Sequence, residues 1–195
     1  MRNGKRIVVA AAMAAAVAIA PRPAVAAEPA HFAIMGVRLY MSAPEVLTSL
    51  YSQGVREDGV SEHVHPCALH AAVACTDRIT ARLADGPITI RFVDAPPGFN
   101  GAREAAFSIT YHPNPGPRGA DAVRSVAEER FGPLSDAADG AWCAAVPGGA
   151  CPEDRPRMIF HHSGMGVAEL ALTDLGLPGR FAHDAAAQAG QSAAR

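Results

Sequence analysis

The chain has 195 residues, enough for one domain or two small ones, with 49% hydrophobic residues and a formal net charge of −2. Without the first 26 residues, 13 basic residues, all arginine, face 19 acidic ones, a net charge of −6. A modestly acidic chain without basic runs offers little to nucleic acid or to an anionic membrane, so neither is expected as a partner.

The N-terminus reads as an export signal. Arg2, Lys5 and Arg6 form a positive start, residues 7–20 are apolar, and Pro21 and Pro23 break the run before the small-x-small site Ala24-Val25-Ala26. Fourteen apolar residues are too few to span a bilayer. Cleavage after Ala26 is therefore expected, leaving a periplasmic or secreted protein with no stable membrane anchor. No cysteine follows the site, which argues against lipid attachment.

Next in the chain, Phe32, Ile34, Val37 and Leu39 alternate with a change of phase at Met35-Gly36, predicting a strand with a bulge at Gly36. Ser42-Ala43-Pro44-Glu45 is a capping-box pattern, and Val46, Leu47, Leu50 and Tyr51 follow at helical spacing up to Gly54, predicting a helix over 43–53. Residues 55–76 are polar and rich in histidine, and no period emerges. Ile79, Ala81 and Leu83 then alternate with Thr80 and Arg82. After the turn signal Asp85-Gly86-Pro87, Ile88, Ile90 and Phe92 alternate with Thr89 and Arg91. A third strand is predicted with Phe107, Ile109 and Tyr111 inward. One solvated face fits an antiparallel sheet. Val123, Val126, Ala127 and Phe131 mark a second helix ending at Gly132-Pro133. Strands are predicted over 158–162 and 167–173, joined by the turn 163–166. Residues 177–195 show no period and read as a flexible tail.

Four cysteines punctuate this order. Cys67 and Cys75 have seven residues between them, and so do Cys143 and Cys151, each 76 positions further on. An exported chain meets oxidising conditions, so disulfides are expected. Four cysteines allow three connectivities. Local pairing would give one staple per half, each worth roughly 2–3 kcal/mol in the chain-entropy picture. Near the same offset, Val46, Leu47 and Leu50 fall on Ala122, Val123 and Val126, and Asp77-Arg78 falls on Asp154-Arg155 one residue later. The expectation is an α+β fold of two related strand-helix-strand-strand units sharing an antiparallel sheet. The first unit is placed at 27–103 and the second at 104–176.

Two resemblances accompany this pattern. The run Gly36 to Val46 resembles the G-M-[ST]-x-x-x-V helix start of the small outer-membrane assembly lipoproteins of the BamE/SmpA type, without their lipid-bearing cysteine. That likeness implies a helix pair on a three-stranded sheet used for protein contacts. The element order, with Cys67, Cys75, Cys143 and Cys151, is similar to the beta-lactamase inhibitory protein family. That likeness implies two tandem α/β units, one disulfide in each, joined into one concave sheet. The binding face of such inhibitors is aromatic-rich, and this chain has few aromatics.

His63, His65 and His70 form the densest group of candidate metal ligands, two on an extended segment and a third five positions on. The plainer reading is a solvated loop in which Cys67 is already oxidised. His161-His162-Ser163 sets imidazole beside hydroxyl, but adjacency in sequence supplies neither an oriented base nor an oxyanion pocket. Glu57-Asp58 reads as a charged loop pair. Asp77, Asp85, Asp94, Asp154 and Asp174 read as turn caps at strand ends. Trp142 reads as a core aromatic packed on the neighbouring bridge, or else as an anchor for a partner. No catalytic set converges and no cofactor motif is present. The expectation is a non-enzymatic envelope protein that binds another envelope protein through its sheet face or loops, with a periplasmic metal-binding protein as the alternative.

Overall fold

The computed structural model describes residues 28–69, 73–114, 119–144, 150–162 and 167–193. The segment expected to direct export therefore lies outside the described residues. Within them, seven strands form one antiparallel sheet, and three α-helices pack on its faces. The strands are β1 (Val60–Pro66), β2 (Ala74–Leu83), β3 (Gly86–Asp94), β4 (Glu104–Tyr111), β5 (Ala141–Cys143), β6 (Arg157–His162) and β7 (Ala168–Thr173), ordered β1-β2-β3-β4-β7-β6-β5. Helix α1 (Ala43–Ser52) leads into the meander β1-β2-β3, and α2 (Gly119–Phe131) leads into β5-β6-β7. Strand β4 lies between the two meanders. The fold is thus α+β on one shared antiparallel sheet.

Alternation decides which side of the sheet each residue takes. Ile79, Ala81, Ile88, Ile90, Ile109 and Leu172 are fully buried in the core on the side of α1 and α2. Phe107 departs from its expected place. The β3–β4 register slips at Arg91/Phe92, so Ala106 joins the main core while Phe107 packs on the opposite side with Ala105, Val93 and Phe181. The bulge flips the side-chain phase within one strand.

Three further expectations are corrected. Residues 32–39 form no strand of the sheet: Ile34 and Val37 pair with each other around Met35 and Gly36, both at positive φ, in a tight two-residue turn. Residues 177–193, expected as an aperiodic tail, form helix α3 (Leu177–Ala193), seated by Leu177 and Phe181. Trp142 is fully buried on the α2 side, its Nε1 donating to the Gly132 carbonyl at 2.7 Å and its ring edge-on to Phe131. Cys143, one residue on, faces the other way with Cys151 and Ile159, so the indole does not pack on the bridge.

The cysteines meet as local pairs, Cys67 with Cys75 and Cys143 with Cys151, at disulfide distance and with Cα separations of 5.0 and 5.6 Å. The first pair ties the end of β1 to the start of β2. The second ties the end of β5 to the chain entering β6. Among the described residues, no helix is long and apolar enough to cross a membrane.

Candidate functional site

The two sides of the sheet are covered unequally. Helices α1 and α2 pack over one side, whereas on the other, among the described residues, α3 packs on Val93, Ala95, Phe99, Ala105 and Phe107. Directly opposed residues of an antiparallel ladder share a side, so the register identifies what the uncovered area presents. One row runs Ser61, Thr80, Thr89, Thr110, and the next runs His63, Arg78, Arg91, Ser108. Arg82, opposite Pro87, extends the same side. Arg78, Arg82 and Arg91 are exposed. The Arg91 guanidinium lies 5.6 Å from the centre of the Phe107 ring, which fixes its direction. Threonine suits such a surface because its β-branch fits the pleat and its hydroxyl tolerates water.

The candidate metal ligands separate. The Nδ1 of His63 meets Asp77 Oδ1 at 2.6 Å, and the Nε2 of His65 meets Asp94 Oδ1 at 3.0 Å. These carboxylates belong to different strands, and Asp94 also accepts the Ala68 amide at 2.5 Å. Slight burial raises the Asp77 carboxyl, but the hydrogen bond and charge of His63, with Arg78 and His65, outweigh it and hold the pKa below its usual value. Cys67 is in its bridge and offers no thiolate. His70 lies outside the described residues. Among those described, no three histidine, cysteine, aspartate or glutamate side chains are grouped to hold a metal ion.

The other candidates are placed as follows. His161 and His162 end β6, exposed, and Ser163 lies outside the described residues. Asp58 pairs with Arg56 at 3.3 Å on the surface, beside Glu57 in a short 3-10 turn. Asp77 lies within β2 rather than at its end. Asp174 is not a surface cap at all: it is fully buried. Its Oδ2 accepts from the Tyr40 hydroxyl at 2.7 Å and from Arg180 at 2.5 Å. The Arg180 guanidinium also donates to the Asp154 carbonyl at 3.1 Å, so one carboxylate ties the N-terminal segment to α3. Burial, then the hydrogen bond and charge of Asp174, push the Tyr40 hydroxyl pKa far up.

Two groupings had only partial signals in sequence. Arg78, Arg82 and Arg91 are readable as outward positions of alternating strands, but only the register sets Arg91 opposite Arg78 and so brings the arginines of the two strands onto one side. The Tyr40–Asp174–Arg180 tie joins residues far apart in the chain and has no local signature. Comparison with family models, with curated proteins and with solved structures finds no match for the chain.

Proposed function

We propose that the protein is an exported, doubly stapled binding module of the cell envelope that holds an acidic surface of another protein against the uncovered side of its sheet. The observation that carries this reading is the cluster of exposed Arg78, Arg82 and Arg91 among Ser61, Thr80 and Thr89, on a chain that is acidic overall. Arginine presents a planar fork of donors suited to carboxylates, and charge complementarity steers and selects protein partners. Strands hold such side chains at fixed spacing, so little ordering is needed on contact. The helix-plus-meander arrangement on either side of β4, with its matched cysteine spacing, supports descent from one duplicated unit. The likeness to the beta-lactamase inhibitory protein family adds binding by analogy only. The N-terminal pattern and the paired cysteines support export.

The test uses the chain from Ala27 onward as immobilised bait in envelope extract, beside the variants Arg78→Glu/Arg91→Glu and Arg124→Ala. Arg124 lies on α2, paired with Glu128, away from the proposed contact. The expected result is a specific partner held by the unaltered chain and by Arg124→Ala, lost from the double variant, and released as salt rises. A partner held equally by all three baits, or none at all, overturns the reading.

A further inference from the structure

Beneath α2 the main core is not closed. A cavity of about 320 Å³ separates the helix from the sheet, a size at the lower end of small-molecule sites. Its walls are apolar: Ile34 from the N-terminal turn, Val123 and Phe131 from α2, and Leu170 from β7. It opens past Val126, which is 63% exposed although it belongs to the apolar stripe of the helix. The space follows from the sequence of α2, whose buried contacts are Ala120 and Ala127, side chains too short to reach the strands.

One end of the cavity is polar. Tyr111, 6% exposed, lines it together with Asp85, and the buried Tyr111 hydroxyl approaches that carboxylate without completing a well-formed hydrogen bond to any of the described residues. Burial first, then the partial hydrogen bond to Asp85 and its charge, raises the Tyr111 pKa, so the hydroxyl keeps its proton at any physiological pH. A buried hydroxyl with only so poor a partner is costly, and native interiors rarely leave one unsatisfied. Water is a poor tenant for a cavity with mostly apolar walls, because it needs two to four polar neighbours. An apolar body with a polar head at the Tyr111 end satisfies both halves. Asp85 supplies acceptor oxygens there and would repel an anion, so the head must donate. Arg130 at the mouth carries its charge in solvent, against the Phe131 ring at 5.4 Å.

We propose that the space between α2 and the sheet binds a small apolar molecule carrying one hydrogen-bond-donating head, which docks on Tyr111 and Asp85. This site lies on the opposite side of the sheet from the arginine surface, and the two stand or fall separately. The probe is N-phenyl-1-naphthylamine, an uncharged fluorophore with a single N–H on an apolar body, titrated into the intact chain. Saturable enhancement of its fluorescence is expected. 1-Naphthol should displace it at lower concentration than either naphthalene, which has no donor, or 1-naphthoate, which is anionic. Tyr111→Phe keeps the ring and should weaken binding about fivefold. Ala127→Leu should fill the cavity and abolish the enhancement, with unchanged circular dichroism confirming that the variant folds. Absence of saturable enhancement with the unaltered chain overturns the proposal. So does equal affinity in Tyr111→Phe, or displacement by naphthalene at the same concentration as naphthol.

Discussion

Helices α1 and α2 lie on the same side of the same sheet, yet they are seated differently. In α1, Val46 and Leu50 are fully buried and Ala43 nearly so, and long aliphatic side chains fill the distance to β2 and β4. In α2 the fully seated positions are alanines, while Val126 stands mostly in solvent and Phe131 is held at its edge by Phe32, ring centres 4.6 Å apart. Side-chain length at the seat decides whether a helix closes its core or stands off it. The first helix is structural cement, and the second leaves room for an occupant.

The largest effects should separate these helices. Leu50→Ala removes a fully buried side chain from a filled core and should cost about 3 kcal/mol. Val126→Ala, on the exposed edge of the cavity, should stay within about 0.5 kcal/mol. Urea unfolding of both variants checks this, and similar losses at the two sites would abolish the distinction. Next comes α3, whose apolar seat at Leu177 and Phe181 is joined by a polar tie. Asp174→Ala should cost about 2 kcal/mol, below the usual figure for breaking a fully buried pair because the Arg180 side chain is half exposed. The same tie gives an alkaline signature. Tyr40 has its pKa raised in the folded protein, so its contribution is complete below pH 10 and is lost as pH rises above that. Tyr40→Phe should flatten that part of the alkaline decline in the melting temperature. An unchanged decline would show that the tie does not bear on stability.

How much of this was readable beforehand depends on how local each determinant is. Strands β2 and β3 alternate over most of their length, because one side is core and the other is wet, while β6 and β7 read as short apolar runs, and α1 carries its apolar stripe directly after its cap. Strand β1 is an edge strand that is largely exposed along its length, so Ser61, Glu62 and His63 carry no period to read. The misplacement of Phe107 arose from a bulge set by the partner strand, which the sequence of β4 alone does not encode. For α3, alanine on all sides gives a helix without a stripe, and its anchors Leu177 and Phe181 lie in one turn. The histidines were visible as a group, but their partners Asp77 and Asp94 lie 14 and 29 positions away, and the pairing disperses them. The cavity has only a faint signature, the short Ala120 and Ala127 at the seat of α2, since its size depends on how far the helix stands from the sheet.

A smaller effect than that of the Asp174 tie sharpens the contrast between the helices through pH. At the start of α1, Glu45 accepts hydrogen bonds at 2.8 Å from both the backbone N–H and the hydroxyl of Ser42. These bonds hold its carboxyl below the ordinary value of 4.5. A depressed acid stabilises the fold above its unfolded pKa and loses that contribution as pH falls through the folded value. Glu45→Ala should therefore cost about 0.5–1 kcal/mol at neutral pH, a figure set by the charge at a helix N-terminus because the side chain is exposed. Near pH 3 the variant and the unaltered chain should converge in urea midpoint. A gap that persists at low pH would mean that Glu45 acts by packing rather than by capping, and α1 would owe its seat to Val46 and Leu50 alone.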